Sequence, residues 1–186
     1  MPFGSLWLPV VASAVAVFIA SSIFHMVLRH HRADYRKLPN EDAVGEVMRK
    51  GGLAPGVYFL PYCPDPSKMK DPAVLKKYTD GPVALVSVMA SGPPNLGKHL
   101  VQWFVFCFLA SFVSAYVARH TLSFGADGMI VLRITGTVAF ASYGMGYFID
   151  SIWKAIPWGN TARSLFDAAV YSIVTGATFM LLWPSS

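Results

Sequence analysis

LVQWFVFCFLASFVSAYVAR, Leu100–Arg119, is the stretch from which the fold can be read. Leu100 to Ala118 holds no charged residue and no proline. At about 1.5 Å of rise per residue, a helix of this length matches a hydrocarbon core of roughly 30 Å. Only Gln102, Ser111 and Ser114 interrupt its apolar surface, too few to form the polar stripe of a water-facing helix. The stretch therefore predicts a membrane span.

Three more stretches are predicted as spans. Trp7–Leu28 is long enough to cross, and Arg29, His30, His31 and Arg32 follow it as a stop-transfer cluster. No Lys or Arg precedes it, and its apolar run exceeds that of a usual signal core, so it is expected to be retained rather than cleaved. Met129–Ile149 is rich in small residues (Thr135, Gly136, Thr137, Ala141, Gly144, Gly146), which predicts close burial against neighbouring helices. Ser164–Trp183 is the fourth span, with Asn160 or Thr161 as its expected cap. Four-residue ladders of small side chains, Ala12, Ala16 and Ala20 in the first span and Ser164, Ala168, Ser172 and Gly176 in the fourth, predict helix-packing faces.

Composition agrees. The 186 residues are 54% hydrophobic and only 13% charged, against roughly a quarter charged in soluble domains. The net charge of +5 is concentrated, since eleven of the fifteen Lys and Arg lie between Arg29 and Lys98. That pattern is the footprint of a cytoplasmic loop, and no recognition motif for nucleic acid accompanies it. The positive-inside rule then predicts both termini outside and residues 29–99 in the cytosol, in a bacterial inner membrane. The expected class is an all-α membrane protein, a bundle of four transmembrane helices with a small cytoplasmic α+β region between helices one and two. Its parts are 1–28, the first span; 29–99, the basic loop; and 100–186, a three-helix region with short connections.

Inside the loop, EDAVGEVMRK after Asn40 reads as a capped helix, with acids in its first turn and bases in its last. Val57–Tyr62 and Val83–Met89 are β-prone runs that pair as neighbouring strands in this reading. Asp71 with Pro72 opens a short helix between them. So little apolar content predicts a thin core that leans on the membrane or a partner. Cys63 in YCPDP reads as a loop corner rather than a haem-sensing Cys-Pro motif, and a disulfide to Cys107 is not expected.

FLASFVSAYV at Phe108–Val117 and PWGNTARSLFDAAVYSIVTGATFMLLW at Pro157–Trp183 resemble an uncharacterised bacterial family of small four-helix integral membrane proteins, a domain of unknown function. Trp158, Asp167 and Tyr171 match what introduces that family's last span, although its first loop is often shorter. The resemblance implies the fold and no established reaction.

Chemistry, if present, is expected at the inner ends of the helices. The candidate polar cluster is His25, His99, Asp150, Arg163, Asp167 and Tyr171, with His30 and His31 read as solvated headgroup contacts. Asp167 follows Arg163 by four residues and precedes Tyr171 by four, so both reach it on one face, as a structural ion pair or a functional carboxylate. HMVLRHH suggests one histidine box of a di-iron oxygenase, but five histidines fall short of the roughly eight ligands required. A haem would need an axial pair, for which His25 and His99 are the best placed. No cofactor, metal or catalytic residue is predicted outright. The leading expectation is a non-catalytic subunit or scaffold of a larger membrane complex. Its partners would be the lipid bilayer, other membrane subunits or itself, and anionic lipid at the basic loop. The alternatives are an oligomeric solute or ion transporter and a metal- or haem-binding redox protein.

Overall fold

In the computed structural model, which describes residues 2–28 and 30–185, the chain divides into two units, Met1–Arg36 with Asn95–Ser186, and Lys37–Pro94. Arg29, one member of the stop-transfer cluster, lies outside the described residues.

The first unit holds four helical segments long and apolar enough to cross a membrane: Gly4–Leu28, Leu96–Thr121, Gly128–Lys154 and Trp158–Leu181. Within it, α1 is Trp7–Ser22, α4 Leu96–Thr121, α5 Gly128–Gly144, α6 Gly146–Lys154 and α7 Trp158–Leu181. Pro9 sits in the first turn of α1, where a missing N–H costs nothing. The Asn95 side chain caps α4 by accepting from Lys98 N at 3.0 Å, and Asp127 caps α5 by accepting from Met129 N and Ile130 N. The third segment is divided at Met145, between two glycines, into α5 and α6.

Small side chains make up much of the interior, beside Leu6, Val10, Val17, Val131 and Phe179, and many large apolar ones face outward. Ser13, Ala14, Cys107, Ala110, Ser111, Ala115, Thr135, Ala139, Ala168 and Thr175 are buried, whereas Leu8, Ile19, Val101, Leu109, Ile173 and Leu181 are exposed. A water-soluble protein shows the opposite distribution; here close backbone approach is the packing principle. It is tightest between α5 and α7. A Cβ added at Gly176 would lie 2.8 Å from the Leu132 carbonyl oxygen, and one at Gly136 would lie 3.2 Å from that of Ser172. Hydrogen bonds tie α1 to α4: Ser13 Oγ donates to Ser111 Oγ at 2.8 Å, and Trp103 Nε1 donates to Ser21 Oγ at 2.7 Å. On α1 the buried stripe runs through Val10, Ser13, Ala14, Val17 and Ser21. The expected ladder of Ala12, Ala16 and Ala20 is only half-buried, because the face is set by where the polar Ser13 and Ser21 find partners.

α7 begins at Trp158, ahead of the expected cap. Thr161 instead shares a short hydrogen bond with Ser151 on α6, and Asn160 turns its side chain to the Asp34 carbonyl.

The second unit contains α2 (Glu41–Lys50), β1 (Gly56–Leu60), α3 (Pro72–Asp80) and β2 (Ala84–Val88). The strands pair antiparallel, with Tyr58 opposite Val86. Asp71 caps α3 by accepting from Ala73 N at 2.8 Å. Asn40 does precede α2 but takes a left-handed conformation without a side-chain cap. Cys63 lies at a corner, its thiol donating to the Asp65 carbonyl at 3.3 Å. Among the described residues of this unit only Pro61 is fully buried, so the core is as thin as the composition predicts.

Candidate functional site

The first span does not end as an α-helix. Ile23–Leu28 forms a π-helical turn and His30–Asp34 a 3-10 turn, two irregular pieces in succession. Such departures from regular helix are frequent at functional sites. Here they carry His25, His30, His31 and Asp34 to α7 (His30–Asp34 packs against that helix), where Asn160, Arg163, Asp167 and Tyr171 project.

Asp167 is the centre. Its residue is 4% exposed, and both carboxylate oxygens are engaged: Oδ1 by His30 Nε2 at 2.9 Å, Oδ2 by His31 Nε2 at 2.8 Å. The Tyr171 hydroxyl donates to Oδ2 at 3.4 Å. A carboxylate this buried requires partners, and it has three. Arg163 is not among them. Its guanidinium reaches Asp34 Oδ1 through Nε at 2.6 Å and Nη2 at 2.5 Å, and Nη2 also donates to Asn160 Oδ1 at 2.9 Å. The expected pairing of Arg163 with Asp167 is thus replaced by one with a residue of the preceding loop.

His31 joins the two carboxylates, with Nδ1 on Asp34 Oδ2 at 2.5 Å and Nε2 on Asp167. A neutral imidazole has one N–H to donate, so bridging two ionised carboxylates calls for the imidazolium. Burial opposes that charge, but the hydrogen bonds and charges of Asp167 and Asp34 outweigh it and hold the His31 pKa above its ordinary value. Burial likewise works against ionised Asp34, while His31 and Arg163 hold its carboxyl below the ordinary range. His30 and His31 are one-quarter exposed or less, so they are not solvated headgroup contacts.

His25 completes the group. Its ring stacks on His31, centroids 4.7 Å apart at 15°, and Nδ1 bonds the Ser21 carbonyl at 2.9 Å. Phe24 packs edge-on against His30, Phe166 and Tyr171 and walls one flank. Of the sequence-derived cluster, His25, Arg163, Asp167 and Tyr171 come together. His99 is exposed on the first turn of α4, and Asp150 pairs with Lys154 at 2.6 Å on α6; neither contacts the group. His30 and His31, expected as headgroup contacts, and Asn160, expected as a cap, join the group, and Asp34 is the residue that sequence reasoning missed. The signal available was an aspartate, Asp34, three residues beyond a histidine in the same cluster.

The arrangement can act as a clasp, pinning the exit of the first span to the start of α7. Imidazole and carboxylate donors close together can also hold a metal. No protein-family model, curated protein or solved structure matches the chain, and the chemistry of the group has to be read from its own geometry.

Proposed function

We propose that the chain is an integral membrane protein whose four helices form a transmembrane bundle in a bacterial inner membrane. Both termini lie outside, and it serves as a non-catalytic subunit or scaffold. The lipid-facing reading is supported by the many small and polar residues buried within, Ser13, Ser111, Ser114, Thr135 and Thr175 among them, and by the exposed Leu8, Ile19, Val101, Leu109, Ile173 and Leu181. The single observation behind the subunit role is the second unit. Val47, Val57, Tyr62 and Met89 are each at least two-thirds exposed there, while only Pro61 among its described residues is fully buried. A domain this poorly cored gains stability from a surface that covers it.

Seven Lys and Arg within 37–94 face six Asp and Glu, so the positive excess sits at the ends of the segment. Of these end residues, Arg32, Arg36 and Lys98 are exposed and suited to anionic headgroups.

The test is isolation from the native membrane in mild detergent, beside a variant with 37–94 replaced by a short flexible linker. A stoichiometric partner on the full chain that is missing from the shortened one supports the role. A full chain that purifies alone or only with itself contradicts it.

A further inference from the structure

A clasp accounts for His30, His31, Asp34 and Arg163, but it has no need of His25. That residue makes no ion pair among the described residues, yet its ring lies flat on His31, with its Nδ1 held by the Ser21 carbonyl. The remaining nitrogen, Nε2, has no hydrogen-bond partner among the described residues and can serve as a ligand atom. His31 is oriented in the same way, its Nδ1 fixed from behind by Asp34 and its Nε2 turned to Asp167. A carboxylate or backbone carbonyl behind Nδ1 is the outer support that metal-binding histidines use to fix tautomer and ring orientation. Two histidines carry it here on the same side of one buried carboxylate.

The distances agree. One ligand atom from each of His25, His31 and Asp167 lies within 4.8 Å of the other two. His30 stands outside that group; its Nε2, 2.9 Å from Asp167 Oδ1, holds the other carboxylate oxygen. Donors placed tetrahedrally about 2.0–2.2 Å from an ion stand roughly 3.3–3.6 Å apart, so the three draw together on binding. His25 is exposed and provides the entry side, while Phe24 and Phe166 pack on His30.

We propose that His25, His31 and Asp167 bind one divalent first-row transition ion, water filling the fourth position, with His30 holding the carboxylate and with Asp34 and the Ser21 carbonyl supporting the rings from behind. Imidazole with a single carboxylate selects ions such as Zn2+ or Fe2+ over Mg2+ and Ca2+, which require mostly oxygen donors. On binding, the ion takes the place of the proton between His31 Nε2 and Asp167, and that proton leaves to solvent. The proposal is independent of the subunit role.

The experiment uses the full chain in detergent, purified without a polyhistidine tag, stripped with chelator and titrated with Co2+ alone. Wild type is expected to take up one equivalent and to show the visible bands of a four-coordinate ion. His25→Ala should weaken binding at least about tenfold. Asp167→Asn should abolish binding, and His99→Ala should match wild type. Should Asp167→Asn fail to fold, His25→Ala decides alone. Failure of wild type to saturate at one equivalent overturns the proposal, as does His25→Ala binding as tightly as wild type.

Discussion

Replacing Gly176 by alanine tests whether backbone contact holds α5 against α7. The new methyl carbon would lie 2.8 Å from the Leu132 carbonyl oxygen and 3.1 Å from Leu132 Cγ. An ordinary carbon–oxygen contact is longer by about half an ångström, and a helix carbonyl cannot swing aside as a side chain can. The helices must therefore separate, loosening the neighbouring contact of Gly136 with Ser172. Overpacking of this kind costs about 1–3 kcal/mol, and the rigid obstacle argues for the middle of that range or above. Alanine's better helix propensity returns at most about 1 kcal/mol, so a control is needed. Gly146 supplies it, since a Cβ there meets nothing within 4 Å. Gly176→Ala should thus be less stable than Gly146→Ala by about 2 kcal/mol, roughly thirtyfold in the unfolding equilibrium. Unfolding in mixed micelles with increasing dodecyl sulfate, followed by tryptophan fluorescence, reads the difference. Equal stability of the two variants would refute the close-packed α5–α7 interface.

The clasp makes its own predictions. Arg163→Lys keeps the charge but loses the two-pronged contact with Asp34 and the bond to Asn160, and should cost about 1 kcal/mol in the same assay. Acidity should matter on both sides. With its pKa raised above 6.5 in the fold, His31 contributes stability that is full below that value and lost as pH rises through the folded pKa. Asp34 is lowered below 3.8, so its contribution is full above that value and lost as pH falls through the folded one. Metal-free protein should accordingly be most resistant to unfolding between about pH 4 and pH 6.5, and Asp34→Asn should flatten the profile. A wild-type profile that is already flat would contradict the bridging role of His31.

The four long apolar helices were legible because such helices are written in long, largely uninterrupted apolar runs, Leu100–Arg119 most plainly. Asp71 was readable as the opening of α3 for a similarly local reason. The clasp was not readable, because it depends on a π-helical turn and a 3-10 turn after Ser22 that no periodicity announces. Helical spacing alone pairs Arg163 with Asp167; only the folded-back segment offers Asp34 as the better partner. His99 and Asp150 were drawn into the candidate cluster by depth along the membrane, a coordinate that says nothing about rotation around a helix axis. The same gap misplaced the α1 interface on Ala12, Ala16 and Ala20 rather than on the stripe through Ser13, Val17 and Ser21.

The central claim is that four helices cross the lipid and leave residues 29–99 in the cytosol. Its most direct test introduces Lys76→Cys into a Cys63→Ser background and treats membrane vesicles of defined orientation with an impermeant thiol reagent. Labelling of inside-out vesicles, with right-side-out vesicles reacting only after permeabilisation, is the predicted result. Reaction in intact right-side-out vesicles would place the segment outside and contradict the account.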